Sequence, residues 1–238
     1  MYFSNYLSYL IFAAPVIIFS LFAQAKVNSA YKKFSRIRNS RNITGAMAAQ
    51  MILRHYGIND VRIESCAGKL TDHYSPKEKV IRLSQNVYGG TSIAAVGIAC
   101  HEAGHAAQHA ENYLPNVIRT ALVPVTNFGS RFGLIIAFLG YFLAYLTYSE
   151  IGYYIIIFGL ALYALVAVFQ LVTLPVEFNA SKRALEVIEA DGLLAGDEHK
   201  GAKKVLTAAA LTYVAALATA IVNLLYYIFR LLGNSRRR

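Results

Sequence analysis

The chain has 238 residues, 56% of them hydrophobic and only 15% charged, with a formal net charge of +10. Soluble domains usually carry about 25% charge, so this composition excludes a purely soluble protein and a disordered chain, and the length excludes two large soluble domains. The basic residues lie among long apolar runs, which excludes a nucleic-acid binder and makes the lipid bilayer the partner of that charge.

Residues 2–25 carry no charge and 6–22 are almost continuously apolar, long enough to span a bilayer at about 1.5 Å per residue. A first transmembrane helix is expected over 1–25. Ala23-Gln24-Ala25 resembles a signal-peptidase site, but no Lys or Arg precedes it and a dense basic stretch follows, so cleavage is not expected. Lys26, Lys32, Lys33, Arg36, Arg38 and Arg41 follow at once, which the positive-inside tendency assigns to the cytoplasm, with the N-terminus outside. Cys66 and Cys100 form no CxxC pair and mark no oxidising compartment.

Residues 26–131 form the expected catalytic region, soluble in character from Arg41 on and carrying five of the six histidines. The pattern predicts a helix over 46–55 closed by Tyr56-Gly57, and short strands over 60–64 and 80–84, where β-branched residues alternate with polar ones. A turn at Ser75-Pro76-Lys77 separates 70–74 from the second strand. The edge over 80–84 is a candidate for strand addition by an extended peptide, with ordinary hairpin pairing as the alternative. Ser92 is the expected N-cap of a helix running to about Glu111.

Residues 132–148 and 151–176 are charge-free and separated by Ser149-Glu150, which predicts a transmembrane hairpin over 132–176. A charged helical segment and loop follow over 177–204. Residues 205–238 hold an Ala- and Leu-rich run flanked by Lys200, Lys203, Lys204 and by Arg236, Arg237, Arg238. The run either crosses the membrane or packs on the catalytic region. A fourth crossing puts the terminal arginines outside, against the positive-inside tendency.

His101-Glu102-Ala103-Gly104-His105 is an HExxH motif in the helix that Ser92 caps. Positions i and i+4 share a helix face, so both imidazoles reach one metal ion, with Glu102 placed to hold the water that the metal activates. Two ordinary, hydrogen-bonded helix histidines are the alternative. A catalytic zinc needs a third protein ligand. His109 lies one turn further on the same straight helix, and three such ligands cannot surround one ion, so it is expected off the site. Glu177 is the stronger candidate, because it stands where the hairpin re-enters the polar layer and opens a helix after Pro175; a boundary carboxylate is the plain alternative. Cys100 reads as buried packing, His55 and His199 as surface or interfacial residues, and Arg230 as a snorkelling cation.

The strings Leu70-Thr71-Asp72-His73-Tyr74, residues 99–109, Leu174-Pro175-Val176-Glu177-Phe178-Asn179-Ala180-Ser181 and residues 208–215 together resemble the bacterial YugP-like neutral zinc metallopeptidases. That family is itself similar to the HtpX-type and CAAX prenyl proteases, in which HExxH precedes a membrane hairpin and a later Glu completes the zinc site. The resemblance implies His101, His105 and Glu177 as zinc ligands and Glu102 as the catalytic carboxylate. HtpX-like proteins often carry Asp four residues after the ligand Glu, where this chain has Ser181, so the group orienting a ligand histidine differs or comes from elsewhere. Asn179 and Ser181 are the candidates here. His73 and Tyr213 are candidate donors to the oxyanion of peptide hydrolysis, beside the plainer reading of each as a packed, hydrogen-bonded residue.

The expected architecture is a mainly α membrane protein, with transmembrane helices and a small α+β zincin-like catalytic domain that holds the HExxH helix and a short hairpin or sheet. The expected function is a membrane-embedded, zinc-dependent endopeptidase of the gluzincin type. It would act on membrane or membrane-proximal polypeptides from the cytoplasmic face of the bacterial cytoplasmic membrane, with Glu102 assisting attack of a zinc-activated water. A catalytically silent zinc-binding scaffold and a zinc hydrolase of a non-peptide bond are the alternatives.

Overall fold

The computed structural model describes residues 2–147 and 150–235. Arg236, Arg237 and Arg238 lie outside the described residues, as do Tyr148 and Ser149, so the expected Ser149-Glu150 separator falls only partly within them. In chain order the elements are α1 (Tyr2–Phe34), α2 (Gly45–His55), β1 (Arg62–Cys66), β2 (His73–Ser75), β3 (Val80–Ser84), α3 (Gln85–Tyr88), α4 (Ile93–Ala110), α5 (Leu114–Thr147), α6 (Glu150–Ala190) and α7 (Asp197–Ser235). The protein is mainly helical with one three-stranded sheet. Among the described residues, four helices are long and apolar enough to cross a membrane, over Leu7–Phe34, Leu114–Thr147, Glu150–Ala190 and Asp197–Leu231.

The chain forms two compact units. One comprises Met1–Phe22, Ile118–Thr173 and Tyr213–Arg238, and its described residues are helical. Phe138, Tyr145, Ile151 and Tyr154 are exposed on it, an arrangement that suits lipid and not water. Its helices α5 and α6 approach through small residues: a Cβ on Gly159 would stand 2.5 Å from the Gly133 carbonyl oxygen, so only hydrogen fits at that crossing. Tyr9 donates to Asn223 Oδ1 at 3.2 Å.

The second unit comprises Ala23–Val117 and Leu174–Thr212. Its core gathers Ile52 and Leu53 of α2, Ile81 and Leu83 of β3, Val96, Ala99 and Cys100 of α4, and Val187, Ile188, Leu193 and Leu194. At the centre lies α4, whose small residues Ala94, Ala95, Gly97, Ala99, Ala103, Gly104, Ala106 and Ala107 are all buried. Ser92 caps it by accepting from the Ala95 N–H at 3.1 Å, as its position in the sequence predicts.

Several boundaries differ from the expectation. Helix α1 runs on to Phe34, through Lys26, Lys32 and Lys33, because lysines are good helix formers and do not interrupt a hydrogen-bonded helix. Helix α5 starts at Leu114, well before residue 132, and α6 runs unbroken through Pro175. Glu177 therefore stands inside a continuous helix and does not open a new one; a proline costs the helix one backbone bond, which a long, packed helix tolerates. Strand β3 is the central strand, in the order β1-β3-β2, parallel to β1 and antiparallel to β2. Residues 80–84 are thus not a free edge for an added peptide. Val80 to Arg82 pair on both sides, and beyond them the Ser84 N–H is taken by Asp72 Oδ1 at 2.7 Å.

Candidate metal centre

The site lies wholly in the second unit, where α4 meets the Leu174–Ala190 part of α6. The approach is set by Gly104, inside the HExxH sequence: a Cβ there would stand 2.6 Å from the Ala180 carbonyl oxygen. Absence of that Cβ lets the α6 backbone rest against α4 between the two histidines.

On the facing surfaces, His101, His105 and Glu177 converge, with one ligand atom from each lying within 4.8 Å of the others. His101 Nε2 is 3.2 Å and His105 Nε2 3.5 Å from the same Glu177 Oε2. The two imidazoles meet edge to face, 4.7 Å between centroids at 82°, as two rings one helical turn apart on one face do. The Glu177 side chain is only 3% exposed and those of the histidines 15% and 13%, so the carboxylate has little water to compensate its charge. Two imidazole nitrogens and a carboxylate oxygen in a buried cluster are a donor set that suits zinc and leaves a coordination position open.

Each histidine is held at its other nitrogen. His101 Nδ1 is 3.0 Å from Ser181 Oγ, and His105 Nδ1 is 3.0 Å from Gln108 Oε1. Gln108 in turn donates to the Val176 carbonyl at 2.7 Å and to Asn179 Oδ1 at 2.9 Å. Burial opposes a positive charge on His105, but its hydrogen bond to Glu177 and the carboxylates of Glu102 and Glu177 carry its pKa above the ordinary imidazole value. Glu102 is half-buried, one residue beyond His101.

The other sequence candidates fall elsewhere. His109 Nδ1 is 2.8 Å from the Tyr74 hydroxyl, and burial pushes the Tyr74 pKa up to about 12, so the phenol stays protonated. His73 is exposed on β2 with its ring against the Thr71 carbonyl, 2.8 Å from Nδ1; strand alternation puts it on the opposite face from Tyr74. Tyr213 is half-buried on α7, the first residue of that helix in the membrane-helix unit. Cys100 is buried, and burial pushes its thiol pKa up, which keeps it unreactive. His55 pairs with Asp191 at 3.2 Å on the surface, and His199, expected at a surface or interface, is half-buried with its Nε2 enclosed. Sequence reasoning missed Gln108. The available signal was a polar residue three positions after His105, on the helix face that carries Gly104 and both histidines.

The family profile described as "Putative neutral zinc metallopeptidase" matches residues 9–232. The chain is 44% identical over 215 residues to a Bacillus subtilis (strain 168) protein described as "Putative membrane protease YugP", covering 90% of this chain and 92% of that one. No solved structure matches.

Proposed function

The chain belongs to this neutral zinc metallopeptidase family, and from that premise we propose that it is a membrane-embedded zinc endopeptidase of the gluzincin type, cutting membrane or membrane-proximal polypeptides. The observation that carries the reading is the meeting of His101, His105 and Glu177 in one buried cluster beside Glu102. These three residues would hold the zinc, which when bound supplies a Lewis acid for the scissile carbonyl. Glu102 takes the proton of the attacking water and passes it to the leaving amine, so hydrolysis needs no covalent enzyme intermediate. Burial of Glu177 and the hydrogen bonds at both Nδ1 atoms hold the ligand side chains in place before any substrate arrives. Tyr213 and His73 are the candidate donors to the oxyanion, and His73 is exposed on β2.

The protein sits in the bacterial cytoplasmic membrane with the site toward the cytoplasm, in keeping with Lys32 and Lys33 in the last turn of α1 and Lys26 before them.

The test is cleavage of an unfolded model protein by the detergent-purified chain loaded with zinc, beside Glu102→Gln and a chelator-treated sample. Turnover by the zinc form alone supports the reading. A zinc-loaded wild type and Glu102→Gln cleaving equally would overturn it.

A further inference from the structure

We infer that Gln108 is a positioning residue for the metal centre: through a relay anchored by Arg183 and Val176, it makes Nε2 the nitrogen that His105 offers to zinc. The inference rests on the proposed zinc site.

The relay can be read from its two ends, where hydrogen-bonding roles are fixed by chemistry. A guanidinium can only donate. The Asn179 atom 2.7 Å from Arg183 Nε is therefore the amide oxygen. That oxygen lies 2.9 Å from the Gln108 amide, and the Val176 carbonyl, which can only accept, lies 2.7 Å from the same Gln108 atom. An atom facing two acceptors must be the NH2 group, which turns Gln108 Oε1 to His105 Nδ1 at 3.0 Å. An amide oxygen cannot donate, so Nδ1 carries the hydrogen. Nε2 is then the ligand atom, on the side of Glu177 Oε2.

The outer end of the relay is also fixed. Arg183 Nη2 is 2.7 Å from Glu111 Oε2, and its guanidinium lies 5.6 Å from the Tyr56 ring centroid and 5.9 Å from that of Tyr113. Gln108 is 0% exposed, so water has no access to replace it. His101 differs, because the Ser181 hydroxyl can donate or accept and leaves the hydrogen on His101 unassigned. The relay therefore makes His105 the ligand set in advance, with Gln108 filling a place where a carboxylate orients the ligand histidine in many zinc sites.

The experiment measures zinc affinity by competition with a chromophoric chelator, together with the visible absorption of the cobalt(II)-loaded protein, for wild type and for Gln108→Leu, Asn179→Leu, Asn179→Asp and His101→Ala. Gln108→Leu is expected to weaken zinc binding by about 10–100-fold and to alter the cobalt spectrum. Asn179→Leu is expected to weaken binding in the same sense, while Asn179→Asp keeps an oxygen for both Gln108 and Arg183 and retains wild-type affinity. The Asn179 pair decides the matter if Gln108→Leu does not fold. Wild-type affinity and spectrum in a folded Gln108→Leu, or equal losses in Asn179→Asp and Asn179→Leu, would overturn the relay. Failure of the zinc site itself looks different: wild type and His101→Ala then bind zinc equally, or neither binds it.

Discussion

Gly104→Ala tests whether the backbone contact between α4 and α6 sets the metal centre. The added methyl would stand 2.6 Å from the Ala180 carbonyl oxygen and 3.2 Å from its carbonyl carbon. These are backbone atoms of a helix, so no side chain can rotate away. An ordinary contact is about 3.5 Å, so the helices must separate by roughly 0.9 Å. Ala180 lies between Glu177 and Ser181, one of which belongs to the proposed ligand cluster while the other contacts His101, and metal ligands tolerate displacements of only about 0.2 Å. Overpacking of this kind costs about 1–3 kcal/mol, offset in part by the roughly 1 kcal/mol that alanine gains over glycine in a helix. The loss of zinc affinity is therefore expected to exceed the loss of stability. Gly97→Ala on the same helix is the control. Its Cβ would meet the Ala202 Cβ at 3.4 Å, so the variant is expected to bind zinc normally and to be unchanged or stabilised by up to about 1 kcal/mol. Thermal unfolding in detergent and chelator competition for zinc measure both quantities. Wild-type zinc affinity in Gly104→Ala, or equal damage from the two substitutions, would show that this contact does not set the metal centre.

Glu177→Ala is expected to lose most bound zinc, whereas His109→Ala, which removes only the partner of Tyr74, retains it; metal analysis after gel filtration distinguishes the two. Glu102→Gln should keep zinc and the unfolding midpoint while turnover falls by about 10²–10⁴-fold, as for loss of a general base, and a variant with wild-type turnover would remove Glu102 from the chemistry. Ser92→Ala removes the side-chain acceptor for the Ala95 N–H and is expected to destabilise the fold by about 1 kcal/mol without changing zinc content. Cysteines introduced at Lys69 and Lys77 are expected to be shielded from an impermeant thiol reagent added outside intact cells, and rapid labelling there would reverse the proposed orientation.

What the sequence determined by itself is local. His101 and His105 share a face because four residues are about one helical turn, and Ser92 caps because its hydroxyl reaches an N–H three residues away; neither needs a distant partner. The apolar runs are also local, and they announce membrane-crossing helices but not their ends. Charge at a run's edge does not stop a helix, so α1 continues through Lys26, Lys32 and Lys33, and a long, packed helix tolerates one proline, so α6 continues through Pro175. Only the tertiary structure decided which strand is central, since the pairing of β3 with both β1 and β2 joins segments whose local patterns do not specify their neighbours. It alone also showed the relay. Gln108 meets Asn179 across 71 residues, and its meaning depends on the Arg183 and Val176 groups that fix which of its ends faces His105. Such a contact leaves no periodic trace in a chain, because it is created when α4 and α6 pack together at Gly104.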